Sequence, residues 1–115
     1  MIARIWRGEA HAENAPAYQR HIAETVFPAL LPLRGQRGAY LLRRAAGGSV
    51  EFLALTLWDC LDDVRQFAGS NIEEANVEPH AREILSSYDS FARHFEVAHA
   101  SGEVGGLANQ RPATP

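Results

Sequence analysis

Val50-Glu51-Phe52-Leu53-Ala54-Leu55-Thr56-Leu57-Trp58 is the stretch on which the fold turns. It is short, rich in residues that suit a pleated strand, and followed by Asp59 and Asp62, which bracket a helix start. Alternation places Leu53, Leu55 and Leu57 on one face and Phe52, Ala54, Thr56 and Trp58 on the other. Both faces are largely apolar. Helices of so short a chain back only one side of a sheet, so the second face calls for a partner, and the expectation is a homodimer.

Upstream of this strand, Ala45-Ala46-Gly47-Gly48-Ser49 reads as a glycine-bearing hairpin connection to a preceding strand over Gly38 to Arg44. A first strand runs from Ile2 to Glu9, where Ala3 and Ile5 alternate with Arg4 and Trp6. Between these strands Tyr18, Ile22, Val26 and Leu30 recur every four residues, the stripe of an amphipathic helix. Asn14 suits its N-cap and Pro16 its first turn, while Pro28 and Pro32 should end or kink it. Downstream, Leu61, Val64 and Phe67 form the buried side of a helix that Gly69 stops. A further helical piece starts near Pro79, with Ala81, Ile84, Leu85 and Tyr88 as its stripe, and Phe91 to Ala98 alternates as the last strand. The order predicts an α+β, ferredoxin-like β-α-β-β-α-β domain over residues 1–98 with a four-stranded antiparallel sheet. Residues 99–115 are Gly-rich and aperiodic, and read as a flexible C-terminal tail.

Composition narrows the function. The 115 residues, 46% hydrophobic and 22% charged, suit a single domain with one core. A net charge of -3 with no long basic run argues against nucleic-acid binding. Every basic side chain is Arg; without Lys there is neither Schiff-base chemistry by a lysine nor a Walker-type phosphate loop. The lone Cys60 has no disulfide or CxxC partner, and no histidine pair has the i, i+4 spacing of a helical metal site, so no metal is expected. No apolar run spans a bilayer and the N-terminus turns polar early, so the expectation is a cytoplasmic protein without a membrane partner.

Ala3-Arg4-Ile5-Trp6-Arg7-Gly8, Glu51 to Asp59, Phe67-Ala68-Gly69 and His94-Phe95-Glu96-Val97 together resemble the antibiotic biosynthesis monooxygenase family. The resemblance covers roughly residues 2–98 and implies a dimeric α/β barrel, two four-stranded sheets facing each other with helices outside. It also implies a pocket between sheet and helices. Cofactor-independent members bind a phenol or quinol there and let the deprotonated substrate reduce dioxygen; other members bind and degrade haem. The implied activity is therefore that of an oxidoreductase, a monooxygenase acting on a small aromatic substrate without a cofactor. The alternative is a non-catalytic dimeric module that binds a small molecule or haem. The haem-degrading branch has an Asn on the first strand, a Trp on the helix after the hairpin and an axial His on the next helical piece; this chain has Arg4 or Trp6, Phe67, and Asn76 or Val77 there.

Within that frame His80, beside the Ala81 stripe, and His94, on the last strand, are candidates for a catalytic base, His80 alternatively for a haem ligand, or else are a surface and a structural histidine. His21 has an edge position like that of His80, and Tyr18 offers a hydroxyl to a cavity. Arg4 suits an anionic oxygen, or equally an ion pair with Glu51 or Glu96. Trp6, Thr56, Trp58 and Phe67 are the remaining candidate substrate contacts, the two tryptophans serving alternatively as core.

Overall fold

A computed structural model describes residues 1–102 of the chain. Its first strand, β1 (Ile2–His11), pairs antiparallel with β3 (Ser49–Trp58), which pairs antiparallel with β2 (Gln36–Ala46). The other edge of β1 is filled in two pieces, β4 (Ser87–Tyr88) against Gly8 and Glu9, and β5 (Arg93–Glu96) against Ile2 to Ile5. The sheet order is β2-β3-β1 with β4 and β5 sharing the fourth position, so the α+β, antiparallel expectation holds. The tail expected over 99–115 lies, for residues 103–115, outside the described residues.

The register explains the two apolar faces. Arg4 pairs with Thr56, Trp6 with Ala54 and Gly8 with Phe52, and these residues turn toward the helices. Ala3, Ile5, Leu53, Leu55, Tyr40, Leu42 and Phe95 turn the other way, since they interleave with the first set along the same strands. No helix of the described residues covers that second face, where Tyr40, Leu42 and Phe95 are 42, 45 and 49% exposed.

On the helix side the core has two centres. Tyr18, Ile22, Val50, Phe52, Ala81 and Leu85 form one, and Leu30, Trp58 and Val64 the other. The first is supplied by α1 (Ala15–His21) and α4 (Pro79–Ile84), the second by α2 (Phe27–Leu30) and α3 (Leu61–Ala68). A π-helical turn over Ile22–Val26 joins α1 to α2. Pro28, which lacks an amide hydrogen to continue an α ladder, follows directly, and such widened turns mark places where a helix adapts its register. The helix therefore continues past Pro28 to Leu30 instead of ending there. Asn14 stands at the N-cap of α1 without a side-chain capping bond.

Several boundaries differ from the sequence expectation: β1 runs on to His11 and β2 begins already at Gln36. The hairpin turn is two residues, Gly47 and Gly48, because the strands extend through Ala46 and from Ser49; Gly47 takes φ +66°, the left-handed conformation a tight turn needs. Helix α4 stops at Ile84, so Tyr88 lies on β4 and is half-exposed rather than completing a helical stripe. The last strand is Arg93–Glu96, shorter than Phe91 to Ala98, because Glu74 bridges to Phe91 and draws that end of the chain toward the segment before α4. At Gly35 (φ +76°) a side-chain carbon would collide with Asp63, which Arg34 holds through Nε at 2.7 Å. No helix of the described residues is long and apolar enough to cross a membrane.

Candidate functional site

Sheet and helices do not close fully on one another. Between them lies a cavity of about 380 Å³, in the range of small-ligand pockets, whose floor is the β1–β3 ladder and whose roof is the α1–α2 helix. Residues 75–78 close one side. Arg4, Trp6, Tyr18, His21, Thr56 and Phe67 all line it, so strand alternation and helical spacing converge on one space. Ala54 widens the cavity at its middle, because its small side chain lies between Thr56 and Phe52 and opposite Trp6.

Arg4 is 4% exposed, and burial pulls its pKa down to about 10, which leaves it cationic at neutral pH. Its NH1 donates to the Ile72 carbonyl and, at 3.0 Å, to Nε2 of His94. Its charge stands 5.8 Å from the centre of the Phe67 ring. Among the described residues it forms no ion pair. The pairing with Glu51 or Glu96 is thus not made. Glu51 shares the parity of Leu53 and points to the opposite face, where Arg7 and Arg44 bind it. Glu96 pairs with Ile2 in the ladder and is exposed.

Two further polar groups in the cavity wall lack partners. The Tyr18 hydroxyl is buried without a hydrogen bond, its residue 1% exposed and its ring tilted on Phe52 at 4.8 Å. Burial pushes its pKa well up, so it stays a protonated donor. Nε2 of His21, a residue 8% exposed, makes no hydrogen bond either. It lies 3.3 Å from a Glu78 carboxylate oxygen, near enough for charge attraction but outside hydrogen-bond geometry.

The other candidates take different places. His80 is exposed on α4, its ring edge-on to His21 at 4.9 Å, and does not line the cavity. His94 shares Arg4's sheet face but stands behind it as hydrogen-bond acceptor. Its pKa is lowered by burial and then by the charge of Arg4, against a raising influence from Glu73, which keeps the imidazole neutral. Trp58 is fully buried in the Leu30–Val64 core and donates from Nε1 to Thr56 Oγ1 at 2.9 Å. Trp6 lines the cavity with its ring while Nε1 donates to the Asp89 carbonyl at 2.7 Å, so it offers a surface rather than a donor. Among the described residues no three His, Cys, Asp or Glu side chains gather as a metal site.

Sequence reasoning did not place Glu78 against His21; Asn76 and Val77 it set only through the family resemblance, at the axial-histidine position, and both line the wall, with Ala75 beside them. Residues 70–78 are polar and aperiodic, and they reach the cavity through tertiary bonds: Arg4 to Ile72, Arg82 Nε to Val77 at 2.8 Å, and Ala75 to Ser90 at 2.9 Å.

No protein-family profile and no curated protein matches the chain. Solved structures do. The haem degrader MhuD of Mycobacterium tuberculosis, determined with two haems in its active site, superposes with a TM-score of 0.64 at 20% identity, over 89% of this chain and 100% of that one. A candidate antibiotic biosynthesis monooxygenase of Deinococcus radiodurans gives 0.60 at 16% identity over 89% and 97%, and one of Bacillus cereus 0.57 at 11% over 88% and 94%. The fold is therefore that of the antibiotic biosynthesis monooxygenases, as the sequence resemblance implied.

Proposed function

We propose that the chain is a cofactor-independent monooxygenase that binds a small hydroxyaromatic molecule in the cavity between sheet and helices. The observation that carries this reading is the cavity itself: a largely apolar space of about 380 Å³ lined by a cation without an ion-pair partner among the described residues, Arg4, and by two atoms without a hydrogen bond, Tyr18 Oη and His21 Nε2. Buried polar groups without partners are costly, so their clustering around an empty space fits groups kept for a ligand. The fold relatives that are candidate monooxygenases support the reaction class.

The roles follow from position. His21 takes the hydroxyl proton of the substrate, with Glu78 beside it to stabilise the imidazolium. It assumes the role expected of His80 or His94, since it is the imidazole in the cavity wall. Tyr18 donates a hydrogen bond to the oxygen that loses its proton, and Arg4 supplies positive charge for an anionic oxygen. The electron-rich ring reduces dioxygen. One oxygen atom enters the ring and the other leaves as water, so that a phenol and dioxygen give a quinone and water.

Haem, which one fold relative binds, does not fit the residues present. A haem-ligating histidine must present a nitrogen to a space that admits the macrocycle. His80 is outside the wall and Nε2 of His94 is held by Arg4, which leaves His21 alone, with the Glu78 carboxylate 3.3 Å from its Nε2 and a cavity of only about 380 Å³ before it. The small cavity carries no second imidazole.

The working unit we propose is a homodimer in which a second copy covers the open sheet face of Tyr40, Leu42, Leu55 and Phe95, closing the barrel. An exposed free thiol, Cys60, suits the reducing cytoplasm.

The test is oxygen uptake with a panel of naphthols and quinols in the presence of a metal chelator. The expected result is uptake with one quinone formed per dioxygen from a naphthol, reduced about 100-fold or more in His21→Ala. Quenching of tryptophan fluorescence by the same compounds without oxygen uptake would instead make the chain a non-catalytic binder.

A further inference from the structure

Polar side chains enter the cavity wall at two separate places among its apolar residues, Arg4 and Thr56 on the sheet and Tyr18 and His21 on α1, and this constrains what it binds. Arg4 and Thr56 form one rung of the β1–β3 ladder; Gly8 and Phe52 form another, and Tyr18 packs its ring on Phe52. At about 3.4 Å per residue, the step from Arg4 to Gly8 spans roughly 14 Å of strand. The Trp6–Ala54 rung lies between, giving an indole face beside a side chain small enough to leave room.

The two places ask for different chemistry. NH1 of Arg4 is committed to the Ile72 carbonyl and His94, while Nε and the second terminal nitrogen have no acceptor among the described residues. A buried guanidinium with one edge free and no ion pair among the described residues, Glu73 acting on His94 but not pairing with Arg4, matches a planar, two-oxygen anion. The charge count also limits it. His94 accepts from Arg4 and so is uncharged, which leaves a single cation at this place. A monoanion is balanced there, whereas a dianionic phosphate would keep one charge unpaired in a low-dielectric space. At the other place the orphaned Tyr18 hydroxyl and His21 nitrogen match a donor–acceptor group such as a hydroxyl.

We infer that the ligand is a hydroxyaryl carboxylate, bound with its carboxylate on the free edge of Arg4, its ring against Trp6 over Ala54, and its hydroxyl between Tyr18 and His21. This deepens the monooxygenase reading and rests on it only for the cavity's being the functional site; it fixes which end of the substrate reacts. The carboxylate is an anchor, and the hydroxyl beside His21 is the group that is deprotonated.

Isothermal titration calorimetry with 6-hydroxy-2-naphthoate, 2-naphthoate and 2-naphthol, on the unaltered protein and on Arg4→Gln and Tyr18→Phe, tests this. On the unaltered protein the hydroxy acid should bind at least about tenfold more tightly than either single-group compound, a factor typical of one charge-assisted or one buried hydrogen bond. The advantage of the carboxylate should vanish in Arg4→Gln and that of the hydroxyl in Tyr18→Phe. Should either variant fail to fold, the three-compound comparison on the unaltered protein still decides. Equal binding of 2-naphthol and the hydroxy acid, or a carboxylate preference that survives Arg4→Gln, overturns the inference. If 2-naphthol is bound and oxidised as well as the hydroxy acid, this inference alone fails; if none of the three binds, the cavity reading fails with it.

Discussion

Arg4 and Arg7 lie three residues apart on one strand and turn to opposite faces of the same sheet, and their surroundings differ in kind. Arg7 meets the Glu51 carboxylate and, at 2.7 Å, that of Glu9, and Arg44 joins the same cluster. Arg4 is more deeply buried and meets a backbone carbonyl, an imidazole and an aromatic ring, but no carboxylate. The cation neutralised on the open face organises a surface; the buried cation without an anion is, on the function proposed above, the place where one arrives from outside. The two faces carry the same lesson. The helix-side face mixes Arg4, Thr56 and Ala54 around a cavity, and the open face presents Leu42, Tyr40 and Phe95 uncovered, the face to which we assign a second copy.

Substitutions can break or sharpen this contrast. The largest effect is expected from Trp58→Ala, which removes a fully buried ring on the helix side and should cost about 3–5 kcal/mol in denaturant unfolding at any protein concentration. Next, Leu55→Glu on the open face should convert the proposed dimer to a monomer, read as a halved mass by light scattering, because it places a charge on the apolar face that we propose a second copy covers. A dimer that survives would argue that the open face serves something other than a second copy. A smaller effect concerns His94, whose pKa lies below its ordinary value of 6.5. The unfolded chain binds that proton more readily than the folded one, so stability is fully present above pH 6.5 and falls as the pH drops toward the folded value. His94→Gln should flatten this part of the stability–pH profile. The smallest change is expected for the Arg7 cluster. Glu51 has its pKa lowered by hydrogen bonds from Arg7 and then Arg44, so its contribution is present above the ordinary carboxylate range and lost only as the pH falls through the lowered value. Arg7→Gln should lower the melting temperature slightly at neutral pH, and the difference from the unaltered protein should close as the pH falls through the lowered value, where Glu51 is protonated in both.

The period-two pattern of residues 50–58 carried both sheet faces, because strand geometry fixes side-chain direction without reference to the rest of the fold. For the same reason Arg4, Trp6 and Thr56 could be grouped from sequence, and helical spacing added Tyr18 and His21. What sequence could not show was convergence through irregular chain. Residues 70–78 have no period, and whether Glu78 or His80 faces His21 depends on how the segment before α4 is held, by Arg82 on Val77 and by Ser90 on Ala75. The same holds for His94: its strand position was legible, but the ladder pairing that sets it behind Arg4 follows from how β5 docks on β1.

The most direct test of the central claim, that the unpaired cation and not the paired one marks the site, is to titrate 6-hydroxy-2-naphthoate into Arg4→Gln and Arg7→Gln side by side. The account predicts a Kd weakened at least about tenfold in Arg4→Gln, ~1.4 kcal/mol, and essentially unaltered in Arg7→Gln. Equal losses in the two variants, or an Arg4→Gln protein that binds as the unaltered protein does, would contradict it.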